Sequence, residues 1–581
     1  MRRRLQQGCR QLVATPRGNC IAGWLFALLA FVVYFLTMDR SVSWWDCGEF
    51  IATGYTLQVG HPPGAPFYQL LSHCFMLLSF GNPMLVAPLS NLVSVLCASL
   101  TVMLLFWSTR MLLQRAEDNN RVSFVGAAIG ALCYLFCDTA WFSAVESEVY
   151  AMAMLFCALE VWLILRWEQS GNARLLTLLA LSLGLGVCVH LMTLLTGPFL
   201  LWVLVRVWRP LKSVKPLRTL LFCIPFFLLG LTPYAIIPIR AAANPPINEG
   251  HPATFAEFKR YFQREQYEHA PLYPRMWRER DADHWADWGG DSPSFWGNVK
   301  YYLTYQFGYM YCRYLMYNYI GRENFHWNII VVFVLPFLLG LLGLVDHRLR
   351  RRGDFHALLL LFLFGGIILN LYLNHPCYEP RDRDYAYVLS FYAFAVWIAF
   401  GAAKLASYNR RVLTIFLFLA PLLLAVGNWA DHDRSRCHSV HDISMAHLQS
   451  CDHGAILITF GDNDTFPLWY LQHVERQRPD IDVYNLNLTG YRRVLQLLES
   501  NGFRRPVYLS QYAYNRLQGL FPQRLRCEGF CWRLLPSPTG VDDPEPLRRH
   551  VEDSIQWHIS SHEYLDRTSR SFLTIWDDNT K

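Results

Sequence analysis

Apolar residues in this chain come mostly in long runs separated by short polar breaks. A membrane span needs about 20 apolar residues, and such runs fall at 21–38, 84–107, 122–137, 150–165, 219–239, 327–345, 356–373, 387–403 and 412–429. The run at 175–205 is long for one crossing and short for two, and Gly184, Gly186, His190 and Gly197–Pro198 interrupt it. The pattern predicts two short helices meeting in a shallow turn there, and about eleven transmembrane helices in all. From about residue 436 the pattern changes. "AILITF" reads as a buried strand, "GDND" as a turn and "TFPLWYLQHVERQ" as a helix. "IDVYNLNL" is a second strand, "YRRVLQLLESNG" a second helix and "PVYLSQ" a third strand. Strand–helix–strand–helix–strand at this spacing predicts a small parallel α/β unit. The expectation is a mainly α polytopic membrane domain over 1–430 and a separate soluble α/β domain over 431–581.

Charge orients the helices. Arg2, Arg3, Arg4, Arg10 and Arg17 precede the first run, and Arg110, Arg115, Arg121, Lys212, Arg348 and Arg350–Arg352 fall in loops on the same predicted side. "DTAWFSAVESEVY", on the other side, has three acids and no base. Basic loops stay inside, so two passes over 175–205 are needed to keep "VDHRLRRRGD" there. The outer face then carries the loops 39–83, 138–149, 240–326 and 374–386 and the C-terminal domain. The loop 240–326, rich in Trp and Tyr, is expected to lie along the membrane as interfacial helices. The N-terminal segment reads as a signal anchor, since no small-residue cleavage site follows the first run.

Composition narrows the function classes. Only 17% of the 581 residues are charged and 53% are apolar, against about 25% charged in soluble domains. The net charge of +7 follows from the basic inner loops and does not indicate nucleic acid. Most of the 16 cysteines fall inside apolar runs, where they act as small hydrophobes. None of the spacings suggests a zinc site. No phosphate-binding loop and no G-x-G-x-x-G occurs, so nothing points to a nucleotide.

The candidate chemistry lies in the outer loops. "SVSWWDCGEFIATGYTLQVGHPPGAPFYQ" places Asp46 and Glu49 three apart beside Trp44, Trp45 and Phe50, and a Pro-rich turn holds His61. Ordinary solvated acids are the plain reading. A partly desolvated carboxylate, however, can have a raised pKa and serve as a general base. His61 could hold a phosphate or a hydroxyl. Glu146 and Glu148 flank the next outer loop, where either could simply start a helix. His190, in a broken apolar run, is costly unless paired. Arg240 follows a span, and Arg381 and Arg383 sit in "EPRDRDYAY". Local pairing with Glu379, Asp382 or Asp384 is the plain reading of the last two; a guanidinium clamp on a phosphate is the sharper one. Rim acids and rim arginines suit a lipid-phosphate sugar donor, whose tail stays in the bilayer and whose phosphate lies at the interface. An acid would deprotonate an acceptor hydroxyl while cations stabilise the leaving phosphate.

"WDCGEFIATGYTLQVGHPPGAPFYQL", "ESEVYAM", "RAAANPPINEG", "RDRDYAYV" and "GDNDTFPLWYLQ" resemble a bacterial polytopic family related to the animal transmembrane-protein-type protein O-mannosyltransferases, within the GT-C glycosyltransferases. The resemblance implies a GT-C-like fold and a polyprenyl-phosphate sugar donor. It also implies an acceptor Ser or Thr on exported proteins, and puts the key acid of the first outer loop on Asp46, with Glu49 beside it. The expected partners are that donor, a protein acceptor and membrane lipids, without nucleic acid. No particular cofactor is indicated, although Asp46, Glu49 and Glu146 could bind a divalent metal. The expected location is a bacterial inner membrane, or the endoplasmic reticulum in a eukaryote, with the C-terminal domain on the periplasmic or lumenal side. Two rivals remain: a glycosyltransferase acting on a lipid or polysaccharide, and a lipid-phosphate-binding transporter or flippase. A transporter would place charge at midplane within paired repeats, and neither is seen.

Overall fold

The computed structural model describes residues 15–208, 215–267, 269–290, 293–322, 334–377, 381–408 and 411–536. The basic stretch at 1–14, the loop around Lys212, the start of the 327–345 run and Glu379 lie outside the described residues.

Every apolar run forms helix where it is described. Among the described residues, eight helices are long and apolar enough to cross a membrane: Pro16–Thr37, Pro83–Ala116, Val149–Ser170, Leu191–Trp208, Arg218–Ala242, Arg352–Leu373, Asp384–Ala406 and Arg411–His432. A ninth arises if Asn120–Leu135 and Asp138–Ala144, bent by 62°, count as one span. The expectation was about eleven. The other two predicted spans are shorter helices among the described residues, Arg174–Val187 with 14 residues and Leu335–Arg350 with 16. The apolar run at 175–205 does break, at Cys188–His190. The chain is a multi-pass membrane protein.

Val388–Ala406 is buried along almost its whole length and forms the middle of the bundle. It packs on Leu335–Arg350 through Gly401 and Gly343, where a Cβ on either glycine would run into the facing backbone. Small residues of this kind let helices approach closely where no water drives them together. Outer helices instead expose Leu25, Leu28, Phe222, Leu228 and Leu229, as a lipid-facing surface requires.

The C-terminal sheet has five strands: β1 Ile456–Thr459, β2 Asp482–Asn485, β3 Val507–Leu509, β4 Leu525–Glu528 and β5 Cys531–Leu534. Their order is β2-β1-β3-β5-β4. β1 pairs in parallel with β2 and β3, as the sequence pattern predicts. The antiparallel hairpin β4–β5 adds to the β3 edge. Its two-residue loop begins at Gly529, with φ 60°, the positive φ that tight hairpins require.

The domain does not stand apart. Val42, Trp44, Ile51 and Met76 of the first loop and Val86 and Ala87 of the next helix share one apolar core with β1, β3, β5 and the Asp462–His473 helix. The first loop and the C-terminal domain therefore occupy one end of the helical bundle.

Candidate active site

The first loop turns sharply at Trp45, whose φ of 64° is a strained conformation for a bulky residue. The backbone N–H of Trp45 donates to Asn463 Oδ1 at 2.5 Å, which ties the loop to the "GDNDT" turn. Helix Cys47–Thr56 follows, with Asp46 at its N-cap. One residue on, Gly48 lies against the Asp462–His473 helix; a Cβ there would sit 2.5 Å from the Phe466 carbonyl oxygen.

Asp46 and Glu49 separate. The Asp46 side chain keeps 21% of its surface exposed and Glu49 keeps none. Glu49 is committed to the Pro-rich turn: it accepts from the His61 backbone N–H at 2.6 Å and lies 2.5 Å from His61 Nδ1. Burial alone would lower the imidazole pKa, but the Glu49 carboxylate outweighs it and holds the ring well above its ordinary range. His61 thus offers a protonated ring whose second nitrogen is not engaged by Glu49.

Glu148 is buried directly before the Val149–Ser170 helix and makes no capping bond to it, so it is not an ordinary helix start. Neither carboxyl oxygen has a hydrogen-bond partner among the described residues. Burial, then the nearby Asp46, pushes its carboxyl well above the usual range against the pull of Arg381. The Arg381 guanidinium lies 3.8 Å from Asp46 Oδ2 and 3.8 Å from Glu148 Oε1, too far for direct hydrogen bonds. It is sandwiched between the rings of Trp45 at 4.6 Å and Tyr385 at 4.4 Å. The Trp45 turn therefore places its indole under this cation.

The residues of "RDRD" reach partners elsewhere in the fold. Asp382 bonds Arg313 at 2.8 Å, Asp384 accepts from Thr139 at 2.6 Å, and Arg383 donates to Tyr385. Of the two arginines, Arg381 alone reaches Asp46 and Glu148. His190 stands further along the same aromatic chain: Tyr385 contacts Tyr150 at 4.6 Å, and Tyr150 contacts His190 at 5.4 Å. Its Nδ1 accepts from the Met192 N–H and caps the next turn. Arg240, expected as a phosphate clamp, lies at a helix end. Its side chain donates to the carbonyls of Leu57 and Thr56, closing the far end of the Cys47–Thr56 helix, about 15 Å from Asp46 at 1.5 Å per residue. Those carbonyls are orphaned at any helix end and attract a cation.

Several participants escaped the sequence reading. Glu249, within "RAAANPPINEG", arrives through backbone pairing of 247–249 with 58–60, its N–H donating to Val59 at 3.1 Å. Burial, then Glu49, pushes its carboxyl well above the usual range. Arg434 is buried and pairs with Glu146. The turn "GDNDT" is a docking device: Asp464 accepts from the Phe460 N–H at 2.7 Å and from Ser510, while Asn485 holds Thr465 at 2.8 Å. Cys47, Glu146 and Glu148 bring ligand atoms within 4.8 Å of one another, in place of the expected Asp46, Glu49 and Glu146. This set suits a divalent ion poorly. Arg434 already neutralises Glu146, and burial pushes the Cys47 thiol well up, away from the thiolate a metal needs.

Comparison with known proteins bears on the same segments. The model of the protein O-mannosyl-transferase TMEM260 N-terminal domain matches residues 46–212, and that of TMEM260-associated domain 2 matches 440–492. The chain is related to the TMEM260 proteins. The two matched segments are those that meet where Gly48 lies against Phe466. Protein O-mannosyl-transferase tmem260 of Dictyostelium discoideum is 25% identical over 527 residues, 83% of this chain and 59% of that protein. Protein O-mannosyl-transferase TMEM260 of Mus musculus is 30% identical over 250 residues, 42% and 34% of the two chains. The chain thus spans less than two thirds of the curated TMEM260 relatives it matches. Among solved structures, ArnT from Cupriavidus metallidurans bound to undecaprenyl phosphate aligns with 90% of this chain and 99% of that one, at 13% identity and a TM-score of 0.38.

Proposed function

We propose that this chain is a GT-C-type membrane glycosyltransferase that moves a mannose-like sugar from a polyprenyl-phosphate donor to a Ser or Thr hydroxyl of exported proteins. The names of the TMEM260 relatives support the sugar and the acceptor class. The observation that carries the reading is the pairing of a partly exposed carboxylate, Asp46, with the Arg381 guanidinium at 3.8 Å, at the end of the bundle where the helices meet the sheet domain. Arg381 makes no hydrogen bond to a described residue, so its fork is available to a phosphate. In the reaction the acceptor oxygen forms a bond to the sugar C1 as the bond from C1 to the phosphate oxygen breaks. The acceptor proton passes to Asp46, and the electron pair leaves with the phosphate, stabilised by Arg381. Glu148, held protonated, can donate a hydrogen bond at the same place without adding negative charge. The site end would face the periplasm or the lumen of the endoplasmic reticulum.

The test is transfer from synthetic polyprenyl-phosphate mannose to a Ser/Thr peptide by the purified chain. Asp46→Asn should bind donor normally and lower turnover by about 100-fold or more. Full transfer by this variant would remove Asp46 as the base. Transfer to a lipid or glycan but never to peptide would move the acceptor class to the rival reading.

A further inference from the structure

Glu168 lies 20 residues beyond Glu148 on the Val149–Ser170 helix, about 30 Å away at 1.5 Å per residue, at the opposite end of the bundle. A cavity of about 590 Å³ opens there. Arg115, Arg206, Arg350, Arg351 and Arg352 line it, against the carboxylates Glu168 and Asp354. Asp354, buried, lies 3.0 Å from Arg115, 2.7 Å from Arg206 and 3.3 Å from Arg351. Glu168 bridges Arg115, at 2.8 Å, and Arg206. The two carboxylates thus hold three of the guanidinium groups in place, and Arg350 is held from behind by Glu117 at 3.2 Å and Asp346 at 3.0 Å; five arginines against these four acids leave an excess of one positive charge, with Arg351 and Arg352 exposed.

Basic residues at this end follow from topology alone. A cavity into which they converge from separate helix ends, locked by buried carboxylates, does not. Ordering the arginines in advance removes much of the entropic cost of gripping an anion. Trp202 donates to the Gly353 carbonyl at 3.1 Å, and Trp167 packs on Trp208 at 5.6 Å. Tryptophans at this level are typical of the membrane–water boundary.

We propose that this cavity binds a phosphate-bearing anion, and its position at the helix ends beside these tryptophans favours the headgroup of an anionic phospholipid as the source. The site is separate from the Asp46–Arg381 centre and does not depend on the reaction proposed there.

The full chain in phosphatidylcholine nanodiscs would be compared with the same chain after addition of phosphatidylglycerol or of inorganic phosphate, following hydrogen exchange at 350–356 and thermal unfolding. Phosphatidylglycerol should slow exchange at 350–356 and raise Tm, while extra phosphatidylcholine should do neither. Arg351→Gln with Arg352→Gln, both solvent-facing, should weaken that response by roughly 30-fold. If inorganic phosphate alone gives the same protection, the anion site stands and a free phosphate compound is its source. No protection from either anion, or an undiminished response in the double variant, overturns the proposal. Should the double variant fail to fold, exchange in the unaltered protein decides by itself.

Discussion

Asp46 and Glu49 look alike in the sequence and have different partners in the fold. Glu49 serves His61 and Asp46 faces the solvent and Arg381. The arginines divide the same way. Arg381→Ala should lower kcat/KM for the lipid-phosphate donor by about 2 kcal/mol, the loss of a charged hydrogen bond, and Arg381→Lys should recover only part because a point charge cannot form the fork. Arg240→Ala should leave donor KM unchanged and lower stability by about 1 kcal/mol or more. Steady-state kinetics and thermal unfolding of the two Ala variants separate these roles, and a raised donor KM in Arg240→Ala would reverse them. Asp39 carries a pH signature. Its buried carboxyl is pushed from 3.8 to about 7, chiefly by burial, against the Ser41 N–H, Arg434 and the Ser43 hydroxyl. With the folded value above the unfolded one, the folded state binds more protons between about pH 4 and 7. The contribution is complete below about pH 4 and lost as pH rises through 7. Asp39→Asn should flatten that part of the Tm–pH curve.

At the scale of elements, the site depends on a contact between the short Cys47–Thr56 helix and the Asp462–His473 helix. Gly48 permits the approach. Gly48→Val should therefore loosen the C-terminal domain from the bundle. Limited proteolysis at the connection 433–438 should speed up and transfer should fall, while helix content by circular dichroism stays near normal. Unaltered proteolysis would mean that the Trp45–Asn463 tie and the shared core hold the contact without Gly48. The strand–helix–strand reading of the domain was legible because its apolar runs are short, β-branched and bounded by Gly and Pro. The β4–β5 hairpin was not read, although "LRCEGFCWRL" alternates around a glycine turn.

At the scale of the whole molecule, residue 46 and the C-terminal domain share one end, and the arginine-lined cavity lies at the other. An impermeant thiol reagent should label Phe80→Cys and Leu520→Cys from one face of a sealed vesicle and Leu349→Cys from the other, in a background lacking the exposed Cys20 and Cys74. All three positions are exposed. Labelling of Phe80→Cys and Leu520→Cys from opposite faces would dismantle the site.

The sequence by itself determined where helices form, since a run of some 20 apolar residues has few other fates in a membrane. It also determined the parallel core of the sheet, and that acids and arginines gather in the outer loops. It did not settle the number of full crossings, because Arg174–Val187 is apolar yet short. Only the tertiary structure decided the pairings. Asp46 meets Arg381, Glu49 meets His61 and Glu249, Glu146 meets Arg434, and Arg240 turns to a helix end. Charge and hydrophobicity are properties of a residue and its near neighbours. Which carboxylate stays in water and which is buried against a base depends on contacts across hundreds of residues, and those exist only once the loop, the bundle and the sheet have packed together.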